Sequence, residues 1–305
     1  MRRRTIAVFA ALSCVLVGLT ACAPGGSGRP SVVVTTNILG DITRNIVGDQ
    51  AEVTVLMEAN ADPHSFGISA QQAARIEQAD LVVYNGLGLE ENVLRHVEAA
   101  GESGVPTFAA GDAVDPIAYT SGDTAGRPDP HFWTDPDRVI KAAALIADQV
   151  VQFVDGVDST AIRANADRYR TELEELTTWI STSFARIPAG QRNLVTNHHV
   201  FGYLSQRFGF RVIGAVIPSG TTLASPSASD LRSLVTAIEQ AGVRAIFVDS
   251  SQPDRLAQVL KQESRLAVQV IPLFSESLTG PDQGAPTYVQ MMRANTKAIS
   301  DGLAP

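Results

Sequence analysis

Residues 158–188 read DSTAIRANADRYRTELEELTTWISTSFARIP. Ile162, Tyr169, Leu173, Leu176, Ile180 and Phe184 recur at helical spacing, which keeps one face apolar for roughly eight turns. Such a helix serves either as the core helix of one large domain or as a rigid strut between two lobes, and the flanking sequence decides between them. Just upstream, DPDRVIKAAALIADQVVQFV (135–154) reads as another helix, separated by a break at Asp155-Gly156.

Beyond this helical centre, both sides alternate short β-branched runs with helical ones. Towards the N-terminus, SVVVTTNI (31–38), AEVTVLM (51–57) and LVVYNG (81–86) read as strands, with helices starting at DITRNIVG (41–48), SAQQAARIEQA (69–79) and EENVLRHVEAA (90–100) between and after them. Ser69 is placed to cap the second of these helices. Towards the C-terminus, NLVTN (193–197), FRVIGAVI (210–217), RAIFVD (244–249) and AVQVIPLF (267–274) read as strands. VFGYLSQRF (200–208), ASDLRSLVTAIEQA (228–241), PDRLAQVLKQES (253–264) and PTYVQMMRANTKAISDGL (286–303) read as helices. Strict alternation of this kind predicts a parallel sheet with helices on its faces. The expected fold is therefore α/β with two lobes, each a mainly parallel sheet flanked by helices, joined by one long rigid helix. The boundaries are 31–157 for the N-terminal lobe, 158–188 for the linking helix and 189–305 for the C-terminal lobe.

The N-terminus has a different character. MRRRTIAVFAALSCVLVGLTAC begins with three arginines, continues as an apolar run from Ile6 to about Leu19 and ends in small residues before Cys22. That order is a secretory signal over residues 1–21, with an apolar stretch too short to span a bilayer. Leu19-Thr20-Ala21-Cys22 resembles the lipobox of bacterial lipoproteins, in which the cysteine receives lipid, so Cys22 is the expected lipidation site. Residues 22–30 then form a flexible tether rich in glycine, serine and proline. No later apolar run approaches the length of a membrane span. The protein is expected outside the cytoplasm, lipid-anchored to the cell membrane.

Of the two cysteines, Cys14 leaves with the signal and Cys22 carries the lipid. None remains for disulfides or thiolate chemistry, and any soft-metal site must use histidine, methionine or carboxylate. Loss of Arg2, Arg3 and Arg4 with the acid-free leader moves the formal charge from -8 to -11, which argues against nucleic acid or anionic lipid as the main partner. The 45% apolar composition of the chain is ample for two lobes of ordinary size.

The five histidines are His64, His96, His131, His198 and His199. His64 lies in Asp62-Pro63-His64, after the second strand, and His131 in Asp129-Pro130-His131, before a helix. In each, proline stiffens the loop, and the aspartate is available to accept a hydrogen bond and orient the ring, as metal-bound imidazoles require. His198 and His199 follow the strand at 193–197; neighbours on a regular backbone diverge, so one of the two is a candidate ligand. Glu276, in FSESL (274–278), stands at the exit of the last strand. His96 sits in a polar helix and reads as a solvated surface residue. Asp249, also at a strand exit, either orients a ligand, contacts a partner protein or caps the helix after Pro253.

Parallel sheets place ligands at the carboxyl ends of their strands, where three of the histidines and Glu276 fall. Three neutral imidazoles and one carboxylate suit four-coordinate zinc. Manganese prefers more oxygen and higher coordination, and calcium and magnesium want oxygen shells. An enzyme reading makes Glu276 a general base beside a three-histidine zinc with an open water position, yet the chain carries neither HExxH nor GxSxG. In a third reading, a surface adhesin, the metal is only structural.

DPHSF (62–66), DPHFWTDP (129–136), NHHVFGYL (197–204) and FSESL (274–278) together resemble the cluster A-I, or zinc/manganese, substrate-binding lipoproteins of ABC importers, in order and over the whole chain after the leader. The resemblance implies two α/β lobes bridged by one long helix, with the metal buried between them. It implies capture of zinc, with manganese or ferrous iron as alternatives, for delivery to an ABC permease in the cytoplasmic membrane. It places the ligands on His64, His131, His198 and Glu276. His198 is preferred over His199 because the family ligand is followed by a two-residue gap before the aromatic, here Phe201. Glu276 stands where the family usually has aspartate, and the loop from Asp115 to Pro130 lacks the long His- and Asp-rich insertion of many zinc-specific members. No nucleic acid or catalytic role is expected, and the protein is expected to act as a monomer.

Overall fold

The computed structural model describes residues 29–304. The expected leader, Cys22 and the tether up to Gly28 lie outside the described residues. The N-terminal lobe is built from β1 (Ser31–Val34), α1 (Asn37–Val47), β2 (Glu52–Val55), α2 (Ala70–Glu77), β3 (Leu81–Tyr84), α3 (Leu94–Glu102) and β4 (Thr107–Ala109). Then come α4 (Pro136–Phe153) and α5 (Ser159–Phe184). The C-terminal lobe holds β5 (Asn193–Thr196), α6 (Gly202–Phe208), β6 (Arg211–Ala215), α7 (Ala228–Ala241), β7 (Ala245–Asp249), α8 (Arg255–Glu263), β8 (Gln269–Leu273) and α9 (Tyr288–Leu303).

Each lobe has one four-stranded parallel sheet, in the orders β2-β1-β3-β4 and β6-β5-β7-β8. The same topology thus occurs twice, and in each sheet the order reverses once, between β1 and β3 and between β5 and β7. Those reversals open crevices at the carboxyl ends of the strands, where ligands bind in such folds. β5 and β7 are buried along their whole length, as strands covered by helices on both faces must be. Pro272 lies in β8, at the sheet edge, where a missing N–H does not interrupt the ladder.

Three elements depart from the sequence reading. The first strand stops at Val34, because the Thr36 hydroxyl accepts from Leu39 N and starts α1 at Asn37. The helix expected from Glu90 begins at Leu94. Glu90 is drawn inward instead, accepting from Thr35 Oγ1, Asn85 N and Gly86 N, beside a turn with positive φ at Gly86, Leu87 and Gly88. β4, only three residues long, is too short for any periodicity to announce it. Ser69 does cap α2, in a reciprocal box with Gln72.

The six stripe residues of α5 are all buried, and the helix packs against α4, α1 and α9. The core it joins is continuous. It runs from Val32 and Leu81 of the first sheet, through Leu173 and Leu176, to Phe247 and Leu273 of the second. α5 is therefore core helix and strut together. Each of its large apolar side chains contributes about 1.5–3 kcal/mol by burial, which opposes wholesale separation of the lobes.

Candidate metal site

His64 lies between β2 and α2, His131 between β4 and α4, His198 just after β5 and Glu276 just after β8. The carboxyl ends of the two sheets face one another, and the four side chains meet there, all at 1% exposure or less. His131 is carried not on a strand exit but at the far end of the long connection from β4 to α4. His131 Nε2 is 3.4 Å from both His64 Nε2 and His198 Nε2. Glu276 Oε1 is 3.3 Å from His198 Nε2 and 3.5 Å from His131 Nε2, and Oε2 is 3.6 Å from His64 Nε2. A tetrahedron with metal–nitrogen bonds of zinc length has edges of about 3.3–3.4 Å, so the spacing matches the outline of one four-coordinate ion.

The electrostatics are those of a site built for a cation. Both Glu276 oxygens and the Nδ1 atoms of His64 and His198 are buried without a hydrogen-bond partner, an arrangement that is costly to keep. Burial pushes the Glu276 carboxyl up to about 8; His131 opposes this, while Asp249, Asp62 and Asp129 add to it. Burial also holds His64 well below its ordinary value, reinforced by His198 and His131. His198 is lowered by burial against the pull of Asp249, Asp62 and Asp129. His64 and His198 are thus held neutral, the form that coordinates metal.

The loops that carry these groups are held from behind. Asp129 Oδ1 accepts from His131 N at 2.9 Å and lies 2.7 Å from His131 Nδ1, which puts the proton on Nδ1 and turns the Nε2 lone pair to the cluster. Tyr203 donates to Asp129 O at 2.7 Å. A side chain at Gly202 would put its Cβ 2.6 Å from Asp129 Oδ2, so only glycine lets α6 start this close. The expectation of a ring-orienting aspartate is correct here and incorrect for the other Asp-Pro-His. Asp62 Oδ1 accepts from His64 N, not from its ring. Asp62 Oδ2 turns to the C-terminal lobe, accepting from Thr222 Oγ1 at 2.6 Å and Gln252 Nε2 at 3.1 Å.

Asp249 orients the Glu276 loop, accepting from Ser275 N, Ser275 Oγ and Glu276 N, and also from Ser251. It does not cap α8, whose N-cap is Asp254. His199 is half-buried beside Tyr119 and outside the cluster. His96 is on α3, partly exposed instead of fully solvated, because its neighbour Val97 faces the core.

Sequence reasoning missed Asn37 and Tyr119. Asn37 Oδ1 accepts from Leu278 N at 2.9 Å and its Nδ2 donates to Ser277 Oγ at 2.8 Å, tying the Glu276 loop to the first lobe. Tyr119 Oη lies 3.3 Å from His131 Nδ1 and donates to Gly220 O. The position of Asn37 at the start of α1, just beyond the exit of β1, is the one available signal; nothing marks Tyr119.

The profile of the ZnuA family, described as zinc-uptake complex component A, periplasmic, matches residues 32–302. The chain belongs to this family. Among its relatives, the manganese ABC transporter substrate-binding lipoprotein PsaA of Streptococcus pneumoniae is 29% identical over 311 residues, covering 99% of each chain. Among solved structures, the periplasmic zinc-binding protein TroA of Treponema pallidum superposes with a TM-score of 0.82 at 26% identity, covering 91% of this chain and 100% of that one. The Mn-bound periplasmic metal-binding protein of Candidatus Liberibacter asiaticus gives 0.80 at 28% identity, covering 90% and 100%. Membership in the family extends through both lobes and α5. It makes the chain a metal-binding, substrate-binding component of an ABC importer.

Proposed function

We propose that this chain captures one divalent transition metal ion, zinc by preference, on His64, His131, His198 and Glu276, and passes it to the permease of an ABC importer. In this reading residues 1–21 are a signal, Cys22 bears the lipid that holds the protein outside the cytoplasm at the membrane, and the chain is a monomer. Lipoprotein relatives support the anchor, and no helix among the described residues is long and apolar enough to cross a membrane.

The observation that carries the reading is the convergence of four buried ligating atoms from both lobes within 4.8 Å of one another. Three nitrogens and one carboxylate at tetrahedral spacing favour zinc. Manganese and ferrous iron are the alternatives: a relative is named for manganese, and the second oxygen of Glu276, 3.6 Å from His64 Nε2, offers the further oxygen that manganese prefers. Glu276 stands within the shell, where a general base would stand outside it, which favours cargo over catalysis. The chain from Ser31 onward, stripped of metal, should bind one zinc and hold it against an excess of manganese. Preference for manganese in that competition would reverse the choice of metal, and an unfolded stripped protein would make the ion structural.

A further inference from the structure

With all four candidate ligands at 1% exposure or less, an ion reaches them only if part of the protein moves. The polar ties across the cleft are of two kinds. Those around Glu276 are buried: Asn37 with Ser277 and Leu278, and Trp133 Nε1 donating to Ser275 O. On the His64 side one tie is also buried, Tyr119 Oη donating to Gly220 O, and the rest lie nearer the surface. Thr221 Oγ1 donates to Glu91 Oε1 at 3.2 Å in an exposed contact, and Thr222 Oγ1 and Gln252 Nε2 donate to Asp62 in partly buried ones.

Beside these more exposed ties is a cavity of about 240 Å³ with His64, Tyr119, Glu91, Arg127, Gly220 and Thr221 in its wall. A larger cleft of about 550 Å³ shares Tyr119 with it but has none of the four candidate ligands in its wall. The strip of chain bordering the smaller cavity, Ser219–Leu223, lies in the connection between β6 and α7. Gly220 rests on the Tyr119 ring so closely that a Cβ there would be 2.4 Å from it. The far end of the strip has no such seat, because Leu223 is 52% exposed. Hydroxyl-to-carboxylate bonds, not apolar burial, hold that end down.

We propose that the metal passes to and from the cluster through this cavity and that Ser219–Leu223 is its gate, latched by Thr221 on Glu91 and by Thr222 on Asp62. The inference rests on the reading of His64, His131, His198 and Glu276 as the metal site. Asp62 joins the two events physically. One of its oxygens holds the gate through Thr222 and the other holds the backbone of His64, so unlatching also loosens a ligand loop. Glu91, freed from Thr221, places a carboxylate at the rim to draw in a dication, while the Asn37 and Trp133 ties keep the opposite side shut.

The test uses the full-length protein with Thr221→Val, Thr222→Val and the double substitution, each close in shape and lacking the hydroxyl, which in Thr221 also accepts from Leu223 N at 3.3 Å. Zinc release into excess chelator and zinc association are followed by stopped flow, and affinity by competition. The double variant should release zinc at least about tenfold faster, the effect of losing one charge-assisted hydrogen bond being the floor for losing two, and should associate faster by a similar factor, leaving affinity within about threefold. Unchanged release from a variant that binds zinc normally would overturn the gate. So would faster release with unchanged association, since the threonines would then only stabilise the bound form. Failure of the unsubstituted protein to bind zinc at all is a separate result that removes the site, and the gate with it.

Discussion

Asp129 grips His131 twice, through the backbone N–H at 2.9 Å and through ring Nδ1 at 2.7 Å, both with the same carboxylate oxygen. The imidazole is therefore fixed in tautomer and in orientation by the protein's own carboxylate. Asp129→Ala should lower zinc affinity by about 10- to 100-fold, the usual effect of removing a group that orients a metal-bound histidine. Competition against a zinc-sensitive dye measures it, and a change under threefold would mean that the ring is held well enough by Tyr119 and Trp133.

Zinc capture should expel a proton. With burial raising the Glu276 carboxyl to about 8, and the metal requiring the carboxylate, binding at about pH 6.5–7 releases close to one proton, falling to about half a proton near pH 8. Affinity then rises with pH and levels off above about 8. His64 and His198 are lowered from their ordinary value, so they begin to contribute protons only below it. Calorimetry in buffers of different ionisation enthalpy counts the protons; a count of zero at pH 7 would show that Glu276 is already charged.

Asp249 gathers the backbone of Ser275 and Glu276 with the hydroxyls of Ser251 and Ser275. Asp249→Ala leaves those buried N–H groups without an acceptor, at about 1–3 kcal/mol for each. The expected outcome is a loss of thermal stability together with at least tenfold weaker zinc binding. Weaker stability with unchanged zinc affinity would restrict Asp249 to a structural part.

Leu173 is fully buried in the stripe of α5 that joins the two lobes. Leu173→Ala should cost about 2–5 kcal/mol. Because the core is continuous, urea unfolding should remain a single transition when followed by both fluorescence and circular dichroism. Two separated transitions would show the lobes to be independent folding units.

Much of this architecture is legible in the residues. Long β-branched runs such as Val32–Val34 and Ala245–Asp249, and the stripe from Ile162 to Phe184, carry periodicities that only one kind of element satisfies. What was hidden depends on contacts between distant segments. The helix expected from Glu90 was shortened because that carboxylate turns inward to Thr35, and no local pattern announces a bond spanning 55 positions. The same holds at the site. The repeated Asp-Pro-His drew attention to His64 and His131, yet whether an aspartate serves its own histidine's ring or the opposite lobe is decided by the fold. Asp129 does the first and Asp62 the second.

The most direct measurement is a zinc titration of the metal-stripped chain beside His131→Ala and His198→Ala. One equivalent bound tightly by the parent, with affinity reduced by orders of magnitude in both variants and the fold retained, is the predicted result. Equal zinc affinity in all three proteins would contradict the convergence of these side chains on a single ion.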